Sequence, residues 1–370
     1  MEKLMGKPTV AVIGTNIGCT LHIRALRASG FDVTMLVGQD AEKTATRAAH
    51  FGISKALTSF DAVVDSDVDA IVIATPPQTH FPFAMKAIAA GKHIICEKAM
   101  TLDVGEAREM RDAANSAGIA NMISHEFRWF SQNALARRLV RSGAIGDPIH
   151  VVAQFDHTLC APEELDVPGW WKTREGGGGW LRNWNSHGID LLRYMVGEFG
   201  AVSGVVHPGA DRGMSSDDSY AFAFVMKNGA QGAMAGTCRA WEPFSTTRIT
   251  GSTGGISLGF TAIVLKSDAN GSGGVDVPQD LLEELRGGGP AVAAPEERLP
   301  ALEDSLYVQT HSSDYGFAEM VGLTSAFSSW IRDRDYRNPA IATFEDGLAH
   351  VKVIDAVERS RKEGRWIDLD

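Results

Sequence analysis

The residues best suited to chemistry fall into three groups. The first is Gly14-Thr15-Asn16-Ile17-Gly18-Cys19, directly after the apolar run Thr9-Val-Ala-Val-Ile. It stands where a G-x-G-x-x-G phosphate loop would stand, but only the first glycine is in place. Asn16 takes the second position and Cys19 the third, and Gly18 is shifted by one. Asparagine tolerates left-handed backbone geometry better than most residues, and cysteine is small. The amides at the start of the following helix can therefore still take a pyrophosphate; a strand-to-helix turn that merely uses glycine is the alternative. The second group is Glu97-Lys98, after the apolar run His93-Ile-Ile-Cys96. A lysine there can stabilise an oxyanion, or the pair simply opens a surface helix. The third is Asn183…His187…Asp190 behind the glycine-rich stretch 176–179. A spacing of four puts Asn183 and His187 on one helical face, where histidine can move a proton and asparagine can orient a hydroxyl. The plain readings are a core histidine and a helix N-cap; Asp190 reads as a structural helix residue.

Other residues frame these. Val37-Gly38-Gln39-Asp40 lacks the strand-end carboxylate that binds a ribose diol in NAD-selective folds. Gly38 leaves room for a 2′-phosphate, Gln39 adds no charge, and Lys43 and Arg47 are the candidate cations, with solvated helix positions as their plain reading. The balance leans slightly to NADP over NAD. Trp170, Trp171, Trp180 and Trp184 offer indole faces to a sugar or cyclohexane ring, or form a small core under a loop. His125 and Arg128 follow the fifth strand as ligands for a polar substrate, with a domain-bridging salt bridge as the alternative for Arg128. His22 and His80 read mainly as packing or capping histidines. The 11 histidines show no HExxH spacing, and there is no GxSxG elbow or P-loop. No metal is expected.

The elements that must hold these residues alternate. Short apolar runs at 9–14, 31–37, 69–75, 93–96 and 120–124 read as buried strands, separated by helical patterns at 19–29, 41–51, 81–90 and 101–117. That is an α/β Rossmann domain, a doubly wound parallel sheet. Its ligand lies outside the carboxyl ends of the strands, which are Gly14, Val37-Gly38, Thr75-Pro76, Glu97-Lys98 and His125. After residue 126 the pattern changes. Helical stretches at 133–141 and 183–195 accompany strand-like runs at 149–155, 201–207, 219–226, 231–239, 247–251 and 255–260. They predict a C-terminal α+β domain with a large, mainly antiparallel sheet. The stretch 268–300 reads as loop with a short helix at 279–286, and helices at 313–332 and 345–363 close the chain. The expected division is 1–126 for dinucleotide binding and 127–370 for substrate binding and oligomerisation.

In order along the chain, Gly14-Thr-x-x-Gly18, Ala74-Thr75-Pro76-x-x-x-His80, Gly91-Lys-His-Ile-Ile-Cys-Glu97-Lys98, Arg128, Gly143-Ala-Ile-Gly146-Asp-Pro148 and Gly177-Gly-Gly-x-Leu181…His187-x-x-Asp190 resemble the glucose–fructose oxidoreductase/inositol dehydrogenase/MocA family. The resemblance extends through Asn228-Gly229-Ala230, Gly251-Ser-x-Gly254-Gly255, Thr343-Phe-Glu-Asp-Gly347 and Gly364-x-Trp366. It implies an NAD(P)-dependent oxidoreductase acting on the secondary alcohol or ketone of a sugar, cyclic polyol or related ring. It further implies Lys98 and His187 as catalytic residues. Gly14, Thr15, Asn16, Ile17, Gly18, Gly38, Gln39, Thr75, Pro76, His80, Glu97 and Lys98 would line the cofactor, and His125, Arg128, Trp171, Asn183, Trp184 and His187 the substrate. Two departures stand out: Ala99 replaces the family proline after the lysine, and Asn183 replaces an aspartate. Two rivals stay open: an enzyme with tightly bound NAD that uses transient oxidation for elimination or glycosidic cleavage, and a redox-inactive dinucleotide sensor, which the departures at Asn16, Ala99 and Asn183 motivate and the retention of Lys98 and His187 argues against. A homodimer or homotetramer is implied by the same resemblance.

Composition narrows the rest. The 370 residues are 44% hydrophobic with a formal charge of −11, enough for large cores and unfavourable for nucleic-acid phosphates or anionic lipid. No apolar run reaches the ~20 residues of a membrane span, and the N-terminus has no apolar signal core. The four cysteines form no CxxC pair, which argues against a disulfide scaffold and for the cytoplasm.

Overall fold

A computed structural model describes residues 6–161, 167–259, 263–267, 271–290 and 315–370. The chain forms two compact units. The first gathers Met1–Thr101, Gly105–Trp129 and Leu282–Leu348; the second gathers Leu102–Val104, Phe130–Leu281 and Ala349–Asp370.

The first unit is built on β1 (Thr9–Ile13), β2 (Asp32–Val37), β3 (Lys55–Leu57), β4 (Ala70–Ile73), β5 (His93–Cys96) and β6 (Asn121–Ile123), with α1 (Ile23–Ala28), α2 (Ala41–His50), α3 (Asp61–Val64), α4 (His80–Ala89) and α5 (Val104–Ala117) between them. The strands are parallel in the order β3-β2-β1-β4-β5-β6. Strand order therefore reverses between β1 and β4, the switch point at which such sheets bind ligands. β4 is buried along its whole length and β1 nearly so, as expected of strands with layers on both faces. Gly30, Gly52, Gly91 and Gly118 close helices as the sequence predicts. The short β3 was not anticipated.

The second unit carries a nine-stranded sheet among the described residues. Its strands are β7 (Pro148–Asp156), β8 (Phe199–Pro208), β9 (Asp217–Met226), β10 (Gln231–Thr237), β11 (Phe244–Gly251), β12 (Gly254–Leu258), β13 (Ile263–Ser267), β14 (Gly271–Gly274) and β15 (Ile367–Asp368). The order is β14-β13-β12-β11-β7-β10-β9-β8-β15. All pairs are antiparallel except β7 with β10. β9 alternates, burying Tyr220, Phe222, Phe224 and Met226 on one face; Phe199 meets Phe224 edge-on at 5.1 Å. α6 (Ser131–Arg141) and α7 (Ser186–Met195) pack together. α8 (Gln279–Glu284), α9 (Phe317–Arg332) and α10 (Phe344–Glu363) complete the described helices. Within the first unit α9 lies on α1, and Phe31 stacks on Phe327 at 6.1 Å. Much of the loop expected over 268–300, and the first residues of the helix expected from 313, lie outside the described residues.

Candidate active site

In the first unit, the β1 exit is shaped by close approach. Gly14 has φ +116°, and a Cβ there would stand 2.0 Å from the carbonyl oxygen of Ala74. Only glycine meets both demands. The chain then enters a wide π turn at Gly18–His22 before α1 begins. Cys19 N (2.9 Å) and Thr20 N (3.0 Å) both donate to Asn16 O. Burial pushes the Cys19 thiol up to about 12, so it is a small packing group. A helix start behind a glycine turn, at a switch point, is the donor set that holds a pyrophosphate.

Arg47 is not the solvated helix residue expected. It is 1% exposed. Its guanidinium reaches from α2 across to the loop, donating to Thr15 O and, at 3.0 Å, to Asn16 Oδ1. Arg47 therefore braces the loop through the side chain that replaces the second glycine. Gly38 has a packing reason as well: an added Cβ would lie 2.4 Å from Thr44 Oγ1 and 2.5 Å from Thr15 Cγ2. Gln39 and Asp40 are exposed, and Asp40 caps α2 by accepting from Lys43 N at 2.9 Å.

At the β4 exit, Pro76 is extended and Thr79 Oγ1 donates to Thr75 Oγ1 at 2.7 Å. His80 is fully buried, with Nε2 2.7 Å from Thr75 O and Nδ1 3.0 Å from Ala99 O. It clamps the Thr75 turn to the backbone just after Lys98, and burial lowers its pKa. His80 thus serves as a strut for the lysine loop.

Lys98 is half-buried at the carboxyl end of β5, and its peptide bond to Ala99 is cis. Beside it Glu97, 5% exposed, accepts from His22 Nε2 at 2.7 Å. Burial works to raise the Glu97 pKa. The His22 hydrogen bond and the electrostatic pull of His22 and Lys98 outweigh it, and hold the acid at about 2. A second carboxyl, missed from the sequence, stands one strand over. β6 pairs with β5 through Ile123 and Cys96, and the turn after β6 carries Glu126, 9% exposed. Burial first, then the negative charge of Glu97, raises Glu126 to about 8 against the opposing pull of Lys98. Two nearby carboxyls are thus split into one ionised and one neutral group. A glutamate in a polar turn carries no signal of this in the sequence.

His125 is 1% exposed after β6. Arg128, 4% exposed, donates to Asp346 Oδ1 at 2.8 Å and to Ile341 O at 3.1 Å. Arg128 thus forms a salt bridge, but both partners lie in the first unit, so it is not the domain-bridging pair expected.

In the second unit, the glycine-rich stretch lets backbones touch. A Cβ on Gly178 would lie 1.8 Å from Trp171 O; Gly179, at φ +108°, lies against Asp217. The single helix expected over 183–195 is instead a π turn, Trp180–Trp184, followed by α7 from Ser186. Asn183 (5% exposed) lies in the π turn and His187 (3% exposed) in the first turn of α7. Asp217 Oδ2 accepts from Leu181 N at 2.7 Å and holds this turn; burial raises its pKa to about 7. Arg182 donates to Glu358 at 3.3 Å and to Leu102 O at 3.0 Å. Asp190 sits 3.6 Å from Arg193 along α7, a helix-supporting pair.

The tryptophans divide. Trp180 is fully buried and donates to Phe155 O at 3.2 Å, and Trp171 is 5% exposed. Trp184 is half-buried, stacked on Trp180 at 5.5 Å with His157 5.4 Å away. Of the four, Trp170 and Trp184 are only half-buried. No cluster of three or more metal-ligating side chains occurs among the described residues.

Two family models align with this chain. The oxidoreductase family model with an NAD-binding Rossmann fold matches residues 9–125, and the GFO/IDH/MocA C-terminal domain matches 133–257. The chain belongs to the Gfo/Idh/MocA oxidoreductase family. It is similar to 1,5-anhydro-D-fructose reductase of Ensifer adhaerens, 35% identical over 48% of this chain and 52% of the relative. It is also similar to levoglucosan dehydrogenase of Pseudarthrobacter phenanthrenivorans, 32% identical over 45% of this chain and 43% of the relative. The chain thus spans about half the length of these relatives. Among solved structures, a levoglucosan dehydrogenase in complex with NADH and levoglucosan shares the fold, with TM-score 0.83 at 23% identity over 98% of this chain and 99% of that chain. No helix among the described residues is long and apolar enough to cross a membrane.

Proposed function

We propose that this chain is a dehydrogenase or reductase. It would transfer a hydride between the nicotinamide of NAD(H) and a secondary alcohol or ketone carbon of a sugar-like ring. The observation that carries the reading is Lys98, half-buried at the carboxyl end of β5 beside the hydrogen-bonded Glu97–His22 pair. The bound dinucleotide supplies the hydride chemistry. Gly14 to Gly18 hold its pyrophosphate, Thr75 and Pro76 flank it, and His80 and Glu97 steady the lysine loop. Lys98 stabilises charge on the substrate oxygen during transfer. His187 takes the hydroxyl proton, and Asn183 orients the hydroxyl. Trp184 offers a ring face. Both named relatives act on anhydrosugars, which supports a compact cyclic substrate.

NADP(H) is admitted beside NAD(H) because no carboxylate stands at Gly38. Lys43 and Arg47 on α2 are the candidate cations for a 2′-phosphate. A homodimer or homotetramer forms on the outer face of the nine-stranded sheet. Val205 pairs with Ala221, Ala223 with Ala233, and Ala233 with Val152; Val152, Val205 and Val225 are 39%, 57% and 38% exposed. These small apolar side chains share the face with Arg248, opposite Val152, and Gln154, opposite Ala235, and exposed apolar surface suits self-association. The cytoplasm is the compartment that fits the cysteine usage.

The test is a panel of sugars, anhydrosugars and cyclic polyols read as NAD(P)H absorbance, with Lys98→Met alongside. Lys98→Met should lower hydride transfer by about 10²–10³-fold with dinucleotide affinity held within a few-fold. Turnover within threefold of wild type removes Lys98 from catalysis, and cofactor binding with no turnover across the panel favours the sensor.

A further inference from the structure

The second unit brings together two thiols that the sequence holds far apart. β7 and β10 are parallel neighbours, ending with Asp156 opposite Thr237. Their outgoing ends stay joined beyond the ladder. His157 N donates to Thr237 O at 2.8 Å, Cys160 N to Cys238 O at 2.7 Å, and Ala240 N to His157 O at 3.1 Å. Residues joined by such a main-chain bond stand roughly 5–6 Å apart at Cα. A disulfide spans about 4.4–6.8 Å. Both thiols are free and buried, and they hydrogen-bond to each other. The charges around them are ordered: Arg212 donates to Cys160 O, Asp218 O accepts from Cys238 N at 3.0 Å, and Arg239 bridges Asp211 at 2.9 Å and Asp218 at 3.2 Å. The proposed hydride transfer uses none of these groups.

We propose that Cys160 and Cys238 are a reversible thiol–disulfide pair, oxidised by a small hydroperoxide and closing a staple between the outgoing ends of β7 and β10. In the first step the Cys160 sulfur attacks one peroxide oxygen. The O–O bond breaks, Cys160 becomes a sulfenic acid, and the other oxygen leaves as water. In the second, the Cys238 sulfur attacks the Cys160 sulfur. The S–O bond breaks, and the departing oxygen takes the Cys238 proton and leaves as a second water. Two thiols have lost two protons and two electrons, and one peroxide has become two waters. A dithiol reductant reverses the change by exchange.

The roles within the pair follow from the hydrogen bond. Cys238 donates to the Cys160 sulfur, which draws the Cys160 thiol below its ordinary range against the effect of burial, with help from Arg212. The same bond, with burial, pushes Cys238 up. Cys160 is therefore the attacking sulfur and Cys238 the resolving one. Burial of both selects hydrogen peroxide over a bulky protein disulfide.

The test uses the full chain and needs no activity. The protein is treated with hydrogen peroxide, denatured and alkylated, then analysed by non-reducing peptide mapping and intact mass. Of the four cysteines, two should remain alkylable, Cys19 and Cys96. The other two should appear as one Cys160–Cys238 cross-linked peptide that dithiothreitol opens. Cys238→Ser should leave a Cys160 sulfenic acid trapped by dimedone. Four alkylable thiols after peroxide, oxygen added at Cys160 without a cross-link in the wild type, or a Cys160 bridge between two chains would each overturn the proposal. The wild-type map alone decides it if the variant fails to fold.

Discussion

Replacing Glu126 by Gln probes the charge arrangement around Lys98 without touching the lysine. Burial and the nearby Glu97 charge raise Glu126 from 4.5 to about 8. Between those two values the folded chain keeps a proton that the unfolded chain has released. Stability therefore falls as pH rises through this window. The slope approaches about 1.4 kcal/mol per pH unit, so from pH 5 to pH 8 the wild type loses about 3–4 kcal/mol through this one group. Glutamine has the shape of the neutral acid and carries no proton to lose. Glu97 does not interfere, because its pKa is lowered to about 2: its stabilisation is complete above its unfolded value near 4.5 and is lost only as pH falls toward 2. Groups that do not interact with Glu126 cancel in the comparison, while Glu97 and Glu319, whose charges act on it, are present in both proteins. Urea unfolding of both proteins at pH 5, 6, 7 and 8 gives the difference directly. Glu126→Gln should lie within about 1 kcal/mol of wild type at pH 5 and gain about 3–4 kcal/mol on it by pH 8. A gap constant to within about 0.5 kcal/mol across the series would refute a neutral Glu126.

Three further outcomes follow from the geometry. Gly14→Ala places a Cβ 2.0 Å from Ala74 O at φ +116° and should cost on the order of 3 kcal/mol or more, read as a fall in the urea midpoint, with dinucleotide binding lost in parallel. Gly38→Asp adds the strand-end carboxylate but forces Thr15 and Thr44 apart; calorimetric titration should show weaker binding of both NAD and NADP, and unchanged affinity for NAD would contradict the packing. Asp217→Asn keeps the acceptor for Leu181 N and removes a group raised to about 7, so the variant should gain on wild type as pH rises from 4 to 7, measured by thermal unfolding.

The sequence was most legible where structure is local and repetitive. Short apolar runs located β1, β2, β4, β5 and β6, and strand-like runs located β7 to β12. What escaped it depends on distant chain. Residues Leu282–Leu348 return to the first unit through contacts such as Phe344 N to Asn121 Oδ1 at 3.0 Å and Thr324 beside Ser29. No local pattern announces that return. The two π turns, Gly18–His22 and Trp180–Trp184, break the 3.6-residue periodicity at the entry to the helices bearing candidate residues. Arg47 looked solvated because charged residues on a helix with an exposed face usually are; its burial follows from the unusual Asn16 in the loop. Glu126 had no signature, since its state is set by Glu97 one strand away.

That last point bears on the chemistry around Lys98. Two carboxyls and one ammonium share the carboxyl ends of β5 and β6. Were both carboxyls ionised, the group would be net negative, and an alkoxide forming on a substrate would meet repulsion as well as attraction. With Glu97 ionised and Glu126 neutral, one negative charge balances Lys98. The lysine then keeps its pull on developing oxyanion charge, while Glu97 and His22 hold its loop from behind. The neutral acid also retains a hydrogen-bond donor that a carboxylate lacks. Depriving Glu97 of His22 removes the largest influence holding it ionised. The proton would then redistribute between the two acids. Because their protonation is linked in this way, a pH–rate profile should report the pair as a unit, and His22→Ala should shift the limb assigned to Glu126 even though His22 lies on a different element. A limb that stays in place in His22→Ala while Glu126→Gln abolishes it would show that the two carboxyls titrate independently.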